Sequence, residues 1–255
     1  MKKLTIPGAE PFFLPGGETG CLVVHGFTGT PKEMREIGEF LNQQGHTVLG
    51  VRLTGHATKV EDMIRSRYED WLASVEDGWN LLQGHTKRIF LIGLSMGGVL
   101  SLTAASYLPV AGVVAMSTPY LFPKPIFRKF PWILRLVSPV YRKQGKSKGL
   151  WFTPGLAENH ISYSHNPVRP GYELAMLLKR LQAAIPDVKA PVLVIHSKDD
   201  DYVDPENADL IYNNLGSQQK ELIWVDRCNH VVTRDGETIR VFQPVAEFIQ
   251  AHSLD

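Results

Sequence analysis

The chain reads as an α/β protein, a mostly parallel central sheet with helices on both faces and one inserted segment. Three observations predict this. Six short apolar runs rich in β-branched residues alternate with stretches of helical period, the pattern of strands buried on both faces. One of these runs passes through a glycine-bounded serine directly into a small-residue helix. The alternation then breaks once, between Pro119 and about Pro170, where prolines and aromatics replace it. With 255 residues, 44% hydrophobic and 21% charged, the composition is that of a soluble globular protein. A chain of this size buries roughly 70–75% of its unfolded surface and fits one domain with an insertion. Glycine (22) and proline (17) are near average abundance and no internal repeat is present, which excludes collagen-like, low-complexity and wholly disordered readings.

The predicted strands are Cys21 to His25, Thr47 to Val51, Arg88 to Gly93, Gly112 to Met116, Val192 to His196 and Leu222 to Val225. After the first, Thr30 is placed to cap a helix, with Pro31 at its first position and Glu33 completing a capping box. Met34, Ile37, Phe40 and Leu41 share one face of that helix, and Gly45 ends it. A helix near Tyr68 to Leu82 carries an apolar stripe of Trp71, Leu72, Val75, Trp79 and Leu82. The serine turn leads into a helix over Val99 to Tyr107. Asp204-Pro205 opens another, which Gly216 ends, and a last helix spans about Val241 to Ala251 with Val245, Phe248 and Ile249 in register. Pro244 there requires a first-turn position or a kink.

Residues 1–118 and 171–255 are expected to form the core, and residues 119–170 a basic, proline- and aromatic-rich cap. Residues 78–157 contain no Asp or Glu but ten Lys or Arg, so the rest holds 17 basic against 26 acidic residues. A basic flap on an acidic body is implied, although the formal net charge is only +1. The uncharged stretch Ile89 to Pro123 would attract a hydropathy window, but glycines and prolines cut it into pieces of different period, so it reads as buried strands and a helix rather than a membrane span. Two distant cysteines, Cys21 and Cys228, and no apolar run of signal-peptide length before Pro7 and Glu10 lead to the expectation of a cytoplasmic protein.

Gly93-Leu94-Ser95-Met96-Gly97-Gly98 lies between the strand and the helix that a nucleophile elbow requires. By composition alone, Gly-x-Ser-x-Gly arises in roughly one chain in ten of this length. The strand-turn-helix context makes it informative, because the turn strains the serine and only small residues two positions either side allow the backbones to approach. A serine hydroxyl needs a base and a carboxylate to act as nucleophile at neutral pH. His230 follows the last predicted strand and is the best placed of nine histidines. His196 reads as part of a strand, His46, His85 and His252 as element ends, and His160 and His165 as insertion residues. The loop after the fifth strand offers Asp199, Asp200, Asp201 and Asp204 as the acid, Asp204 being better used as a helix cap. A calcium loop is excluded because Asp204 occupies its glycine position and Leu210 its twelfth. No zinc motif or cysteine cluster is present, so no metal is expected. At the end of the first strand, His25-Gly26-Phe27-Thr28-Gly29 is placed to aim the Phe27 amide at the serine, beside the Met96 amide, as an oxyanion hole. Gly26, Phe27 and Met96 would then line the substrate, and His25 would hold the loop.

These residues, in the order nucleophile, acid, base, resemble the α/β-hydrolase superfamily, and most of all its small bacterial carboxylesterases and monoacylglycerol lipases. The resemblance also rests on Leu22-Val23-Val24-His25-Gly26-Phe27-Thr28-Gly29-Thr30-Pro31, Arg52-Leu53-Thr54-Gly55-His56, Asn207-Ala208-Asp209 and the segment ending at His230. It implies the α/β-hydrolase fold over nearly the whole chain. The family's acid, seven residues before the position of Asn207 and thirty before the base, corresponds to Asp200, with Asp199 in reserve. The family's usual glycine is replaced here by Ala57.

The implied activity is cleavage of carboxylic esters, of short to medium acyl chain or monoacylglycerols, by Ser95, Asp200 and His230 without a cofactor. An acyl thioesterase with the same triad is the alternative, and a non-catalytic ligand-binding member of the fold a further one. Leu121, Phe122, Ile126, Phe127, Phe130, Trp132, Ile133 and Leu136 are expected to roof the acyl pocket. Their interleaving with basic residues suggests either peripheral contact with an anionic lipid surface or a solvated lid face. A monomer or weak homodimer is expected. No nucleic-acid partner is, since only the local basic flap points that way.

Overall fold

The computed structural model describes residues 3–136, 140–142, 151–163 and 165–253. The chain opens with a short strand, β1 (Phe12–Leu14), followed by β2 (Thr19–Val24), a single 3-10 turn (Pro31–Met34), α1 (Arg35–Gln43) and β3 (Thr47–Val51). Two helices, α2 (Val60–Arg65) and α3 (Tyr68–Gln83), lead to β4 (Arg88–Leu94), α4 (Met96–Ala105) and β5 (Gly112–Met116). Between β5 and the next sheet strand come α5 (Pro125–Lys129), α6 (Ile133–Leu136), β6 (Val140–Arg142), α7 (Leu156–Asn159), β7 (His165–Pro167) and α8 (Pro170–Ala184). The chain closes with β8 (Val192–Ser197), α9 (Glu206–Asn214), β9 (Lys220–Val225) and α10 (Ile239–Ala251).

Seven strands form one sheet in the order β1-β3-β2-β4-β5-β8-β9. All neighbours are parallel except β1, which runs antiparallel to β3 with Phe12 opposite Gly50. The order 3-2-4-5-8-9 is that of a doubly wound sheet, whose loops at the carboxyl ends of the strands converge on one rim. Alternation along β2 sends Leu22 and Val24 to one face and Cys21 and Val23 to the other. The first face packs under α3, α4, α8 and α9, and the second under α1 and α10. All five residues of the predicted α3 stripe are buried in the first core. Asp70 begins that helix by accepting the Arg67 amide at 2.7 Å.

The six predicted strands are all present, and the structure adds what the sequence left out. β1 is three residues long beside a proline, too short to show a period; it is held because glycine at 50 leaves room for the Phe12 ring, where a Cβ would stand 2.1 Å away. α2 and α8 were also not foreseen. The capping box expected at Thr30 and Glu33 does not form: Thr30 makes no side-chain cap bond, and Glu33 turns inward. α10 begins at Ile239, so Pro244 lies beyond its first turn. β6 and β7 pair antiparallel as a separate two-stranded ladder between β5 and β8. Lys143, Lys146 and Lys148 of the expected basic flap lie outside the described residues. Of the side chains expected to roof an acyl pocket, Ile126, Phe130, Trp132 and Leu136 are exposed, while their neighbour Leu134 is buried. Among the described residues no helix is long and apolar enough to cross a membrane.

Candidate active site

Ser95 is the single residue between β4 and α4, with φ +56° and ψ −120°. That left-handed backbone is unfavourable for a side-chain-bearing residue and persists only where the surroundings enforce it. Its amide donates to the Met116 carbonyl at 2.8 Å, and its carbonyl accepts the amides of Gly98 (2.9 Å) and Val99 (3.2 Å). The glycines are required by close approach rather than by torsion. A Cβ on Gly93 would stand 2.2 Å from the Gly97 carbonyl, and one on Gly97 would stand 2.1 Å from the Val24 carbonyl oxygen. Strand and helix therefore meet backbone to backbone and leave Ser95 half-buried at the turn while Met96 is fully buried.

The loops after β8 and β9 bring the candidate acid and base together. His230 Nδ1 lies 2.9 Å from Asp200 Oδ2. The other carboxylate oxygen, Oδ1, accepts the Tyr202 and Val203 amides, each at 2.9 Å. Two of the other aspartates of that loop are used elsewhere. Asp199 accepts the Arg227 amide at 2.7 Å, and Asp204 accepts the Glu206 amide at 3.1 Å at the start of α9. Burial by itself would raise the Asp200 carboxyl, but hydrogen bonds from His196 and His230, the His230 charge and the Val203 amide outweigh it and hold the carboxyl well below the usual range. His196, read from sequence as an ordinary strand residue, is thus part of the site: its Nε2 lies 3.4 Å from Asp200 Oδ2 and 3.1 Å from the Val203 carbonyl. The spacing of four residues between His196 and Asp200 was the available signal. Tyr202 stacks on the His230 ring at 5.2 Å between centroids and 30° between planes.

The candidate oxyanion loop lies directly against Ser95, since a Cβ on Gly26 would stand 3.3 Å from the Ser95 Cβ. His25 holds this loop as expected. Its Nε2 accepts the Leu53 amide at 3.2 Å, which leaves the proton on Nδ1 to be donated to the Gly26 carbonyl at 3.0 Å. Burial first, and then the neighbouring His56, push the His25 pKa well below its usual value, so the ring, with both nitrogens already engaged, is too weakly basic to serve as the base. Beyond it, His56 is also buried and lowered to about 4 by burial. Phe27 meets the edge of Trp71 with centroids 6.1 Å apart. Ala57 adopts φ +57°, which explains in backbone terms why glycine suits that position.

Three side chains whose tertiary partners the sequence did not mark tie the segment between β5 and α8 to these loops. Asn207, on α9 after the acid, accepts the Tyr120 and Leu121 amides, each at 2.9 Å. Glu33, buried behind the oxyanion loop, accepts the Gly26 amide at 3.3 Å and faces His160 Nε2 at 3.3 Å. Asp235, five residues beyond His230, accepts four backbone amides: Asn229 (2.8 Å) and Phe152 (3.2 Å) on Oδ2, Thr153 (2.8 Å) and Gly236 (3.0 Å) on Oδ1. Each is a polar residue whose partner is remote in sequence, so no local pattern announces it. Among the described residues no group of three or more His, Cys, Asp or Glu is arranged to hold a metal ion.

Comparison with known proteins gives the family and the fold. The family model Hydrolase_4, described as serine aminopeptidase, S33, matches residues 18–237. A thermostable monoacylglycerol lipase of Bacillus sp. (strain H-257) is 33% identical over 254 residues, covering 97% of each chain. A carboxylesterase of Bacillus subtilis (strain 168) is 29% identical over 242 residues, covering 94% of this chain and 96% of its own. Among solved structures, one from a study of the metagenome-derived lipolytic enzymes LipS and LipT superposes with a TM-score of 0.87 at 32% identity, covering 97% of this chain and all of that one. The monoacylglycerol lipase of Paleococcus ferrophilus, at 18% identity and a TM-score of 0.80, shares the fold over 95% of this chain and 98% of its own. With an elbow serine, a paired aspartate and histidine and this full-length likeness, the chain belongs to the Hydrolase_4 family of α/β hydrolases.

Proposed function

We propose that the chain is a serine hydrolase of carboxylic esters, acting on short- to medium-chain acyl esters, monoacylglycerols among them. Ser95 Oγ attacks the ester carbonyl carbon as His230 Nε2 takes its proton, and Asp200 holds the Nδ1–H tautomer and steadies the imidazolium. The Phe27 and Met96 amides stabilise the oxyanion, with Gly26, Phe27 and Met96 lining the reacting group. The tetrahedral intermediate collapses to an acyl-serine as His230 protonates the leaving alcohol. Water, deprotonated by the same histidine, then attacks the acyl carbon and releases the acid and free Ser95. The observation that carries this reading is the strained Ser95 elbow lying against Gly26, with the 2.9 Å Asp200–His230 contact formed on the neighbouring loops.

Esters are favoured over peptides because the two full-length relatives are a lipase and an esterase. Residues 119–170 would act as the cap over the acyl site. The exposed Ile126, Phe130, Trp132 and Leu136, beside Lys124, Arg128 and Lys129, suit peripheral contact with an anionic lipid surface. In the test, Ser95→Ala lowers turnover of a chromogenic acyl ester by about four to six powers of ten with the circular-dichroism spectrum unchanged. Retained hydrolysis overturns the proposal. Acyl esters of rising chain length, monoacylglycerols and a matched thioester, assayed on the native chain, set the substrate class.

A further inference from the structure

Where the segment between β5 and α8 meets the helices of the core, Ile64, Arg65, Arg67, Arg135, Arg169 and Glu173 line a cleft of about 320 Å³. The arginines come from four places: Arg65 ends α2, Arg67 precedes α3, Arg135 lies on α6 and Arg169 precedes α8. Four arginines thus line one small concavity with a single acidic residue. Arg65 pairs outward with Asp62. Arg67 lies 3.7 Å from Glu173, and its Nη1 donates to the Arg65 and Ser66 carbonyls at 3.1 and 3.3 Å, which fixes its guanidinium plane. Arg135 rests on the Tyr172 ring, 4.9 Å from its centroid. Among the described residues neither Arg135 nor Arg169 has a carboxylate within 4 Å. Burial raises the Glu173 carboxyl, while Arg67 and Arg135 act to lower it.

Like charges gathered from separate elements repel, and the carboxylates beside them, Asp62 and Glu173, answer only Arg65 and Arg67. An arginine cluster with more guanidinium groups than carboxylates is complementary to an external oxyanion, which guanidinium forks bind in parallel pairs of hydrogen bonds. We propose that this cleft is a binding site for a phosphate group, carried on a soluble phosphorylated compound or on a lipid headgroup. A ligand there would contact Arg135 and Arg169 on the cap side and Arg65 and Arg67 on the core side at once, and so tie the two together. The proposal is independent of the ester-hydrolase reading, since it involves none of the residues around Ser95.

The test is calorimetric titration of the native chain with inorganic pyrophosphate at low ionic strength, where such contacts are least screened. In parallel, the chain is cosedimented with phosphatidylcholine vesicles with and without phosphatidic acid. Saturable binding of pyrophosphate identifies a soluble ligand; binding confined to vesicles containing phosphatidic acid identifies a headgroup. In either case the double variant Arg135→Gln, Arg169→Gln binds at least about tenfold more weakly. A control pair that removes equal charge elsewhere, Lys87→Gln with Lys179→Gln, binds as the wild type does. The two arginines are exposed, and each single variant serves should the double variant melt early. Failure of both ligands to bind, unchanged affinity in the arginine variants, or an equal loss in the lysine control overturns the proposal.

Discussion

Asp235→Asn tests how firmly the candidate base loop is joined to the cap. The aspartate is 1% exposed and its two oxygens accept four amides, two from the loop carrying His230 and two from residues 152 and 153. Asparagine keeps the shape but replaces one acceptor by an N–H donor, so whichever way it turns, two amides lose their partner. The turn that directs its NH2 at Thr153 and Gly236 is the better one, because the Gly236 amide also has the Thr153 hydroxyl oxygen at 2.9 Å. It leaves the Thr153 amide orphaned and spares Asn229. An orphaned buried donor costs about 1–3 kcal/mol, and loss of the charge weakens the remaining bonds by a further 1 kcal/mol or so, for a total of about 2–4 kcal/mol. At roughly 2–4 °C per kcal/mol for a chain near this size, the melting temperature should fall by about 4–16 °C. Thermal unfolding followed at 222 nm reads the shift, and ester hydrolysis at 25 °C should remain measurable because the Asn229 amide keeps its acceptor. A fall of less than about 2 °C would refute the reasoning, since the four amides would then have been satisfied without the carboxylate.

Asp200→Asn should lower kcat by about 10⁴-fold, the loss that follows when the imidazole adopts the wrong tautomer, while Asp199→Asn leaves kcat near that of the native chain; equal effects at the two positions would contradict the assignment. The Asp200 carboxyl is depressed on folding, so the stability it contributes is present above its unfolded value near pH 4 and is lost as pH falls through the lower folded value. The difference in urea midpoint between the native chain and Asp200→Asn should therefore narrow on going from about pH 7 to about pH 2.5, and a constant difference would count against the depressed carboxyl. Gly97→Ala forces a Cβ to within 2.1 Å of a backbone oxygen of β2, with no flexible side chain to yield. It should destabilise by about 3 kcal/mol or more in urea denaturation or prevent soluble expression.

Much of this architecture was legible because the signals that encode it are short in range. The Trp71-Leu72-Val75-Trp79-Leu82 stripe, the β-branched runs and the glycines around Ser95 each act within a few residues, through side-chain period or steric room. The Glu33 misreading marks the limit of such signals. Its place two residues after Pro31 fits a capping box, but tertiary packing offered the carboxylate the Gly26 amide and His160 instead. His196 was passed over for a similar reason, since a histidine inside an apolar strand looks like packing until its loop folds Asp200 back to it.

The sequence by itself determined six strands and five of the helices, the elbow and its glycines, and the pair of loops from which an acid and a base would come. Only the tertiary structure brought Asp200, the acid the family resemblance implies, against His230, tied the cap segment to those loops through Asp235 and Asn207, and set four arginines from separate elements around one cleft. Those contacts join residues tens to more than a hundred positions apart. Their distances follow from how the sheet twists and the helices pack, which no local pattern along the chain records.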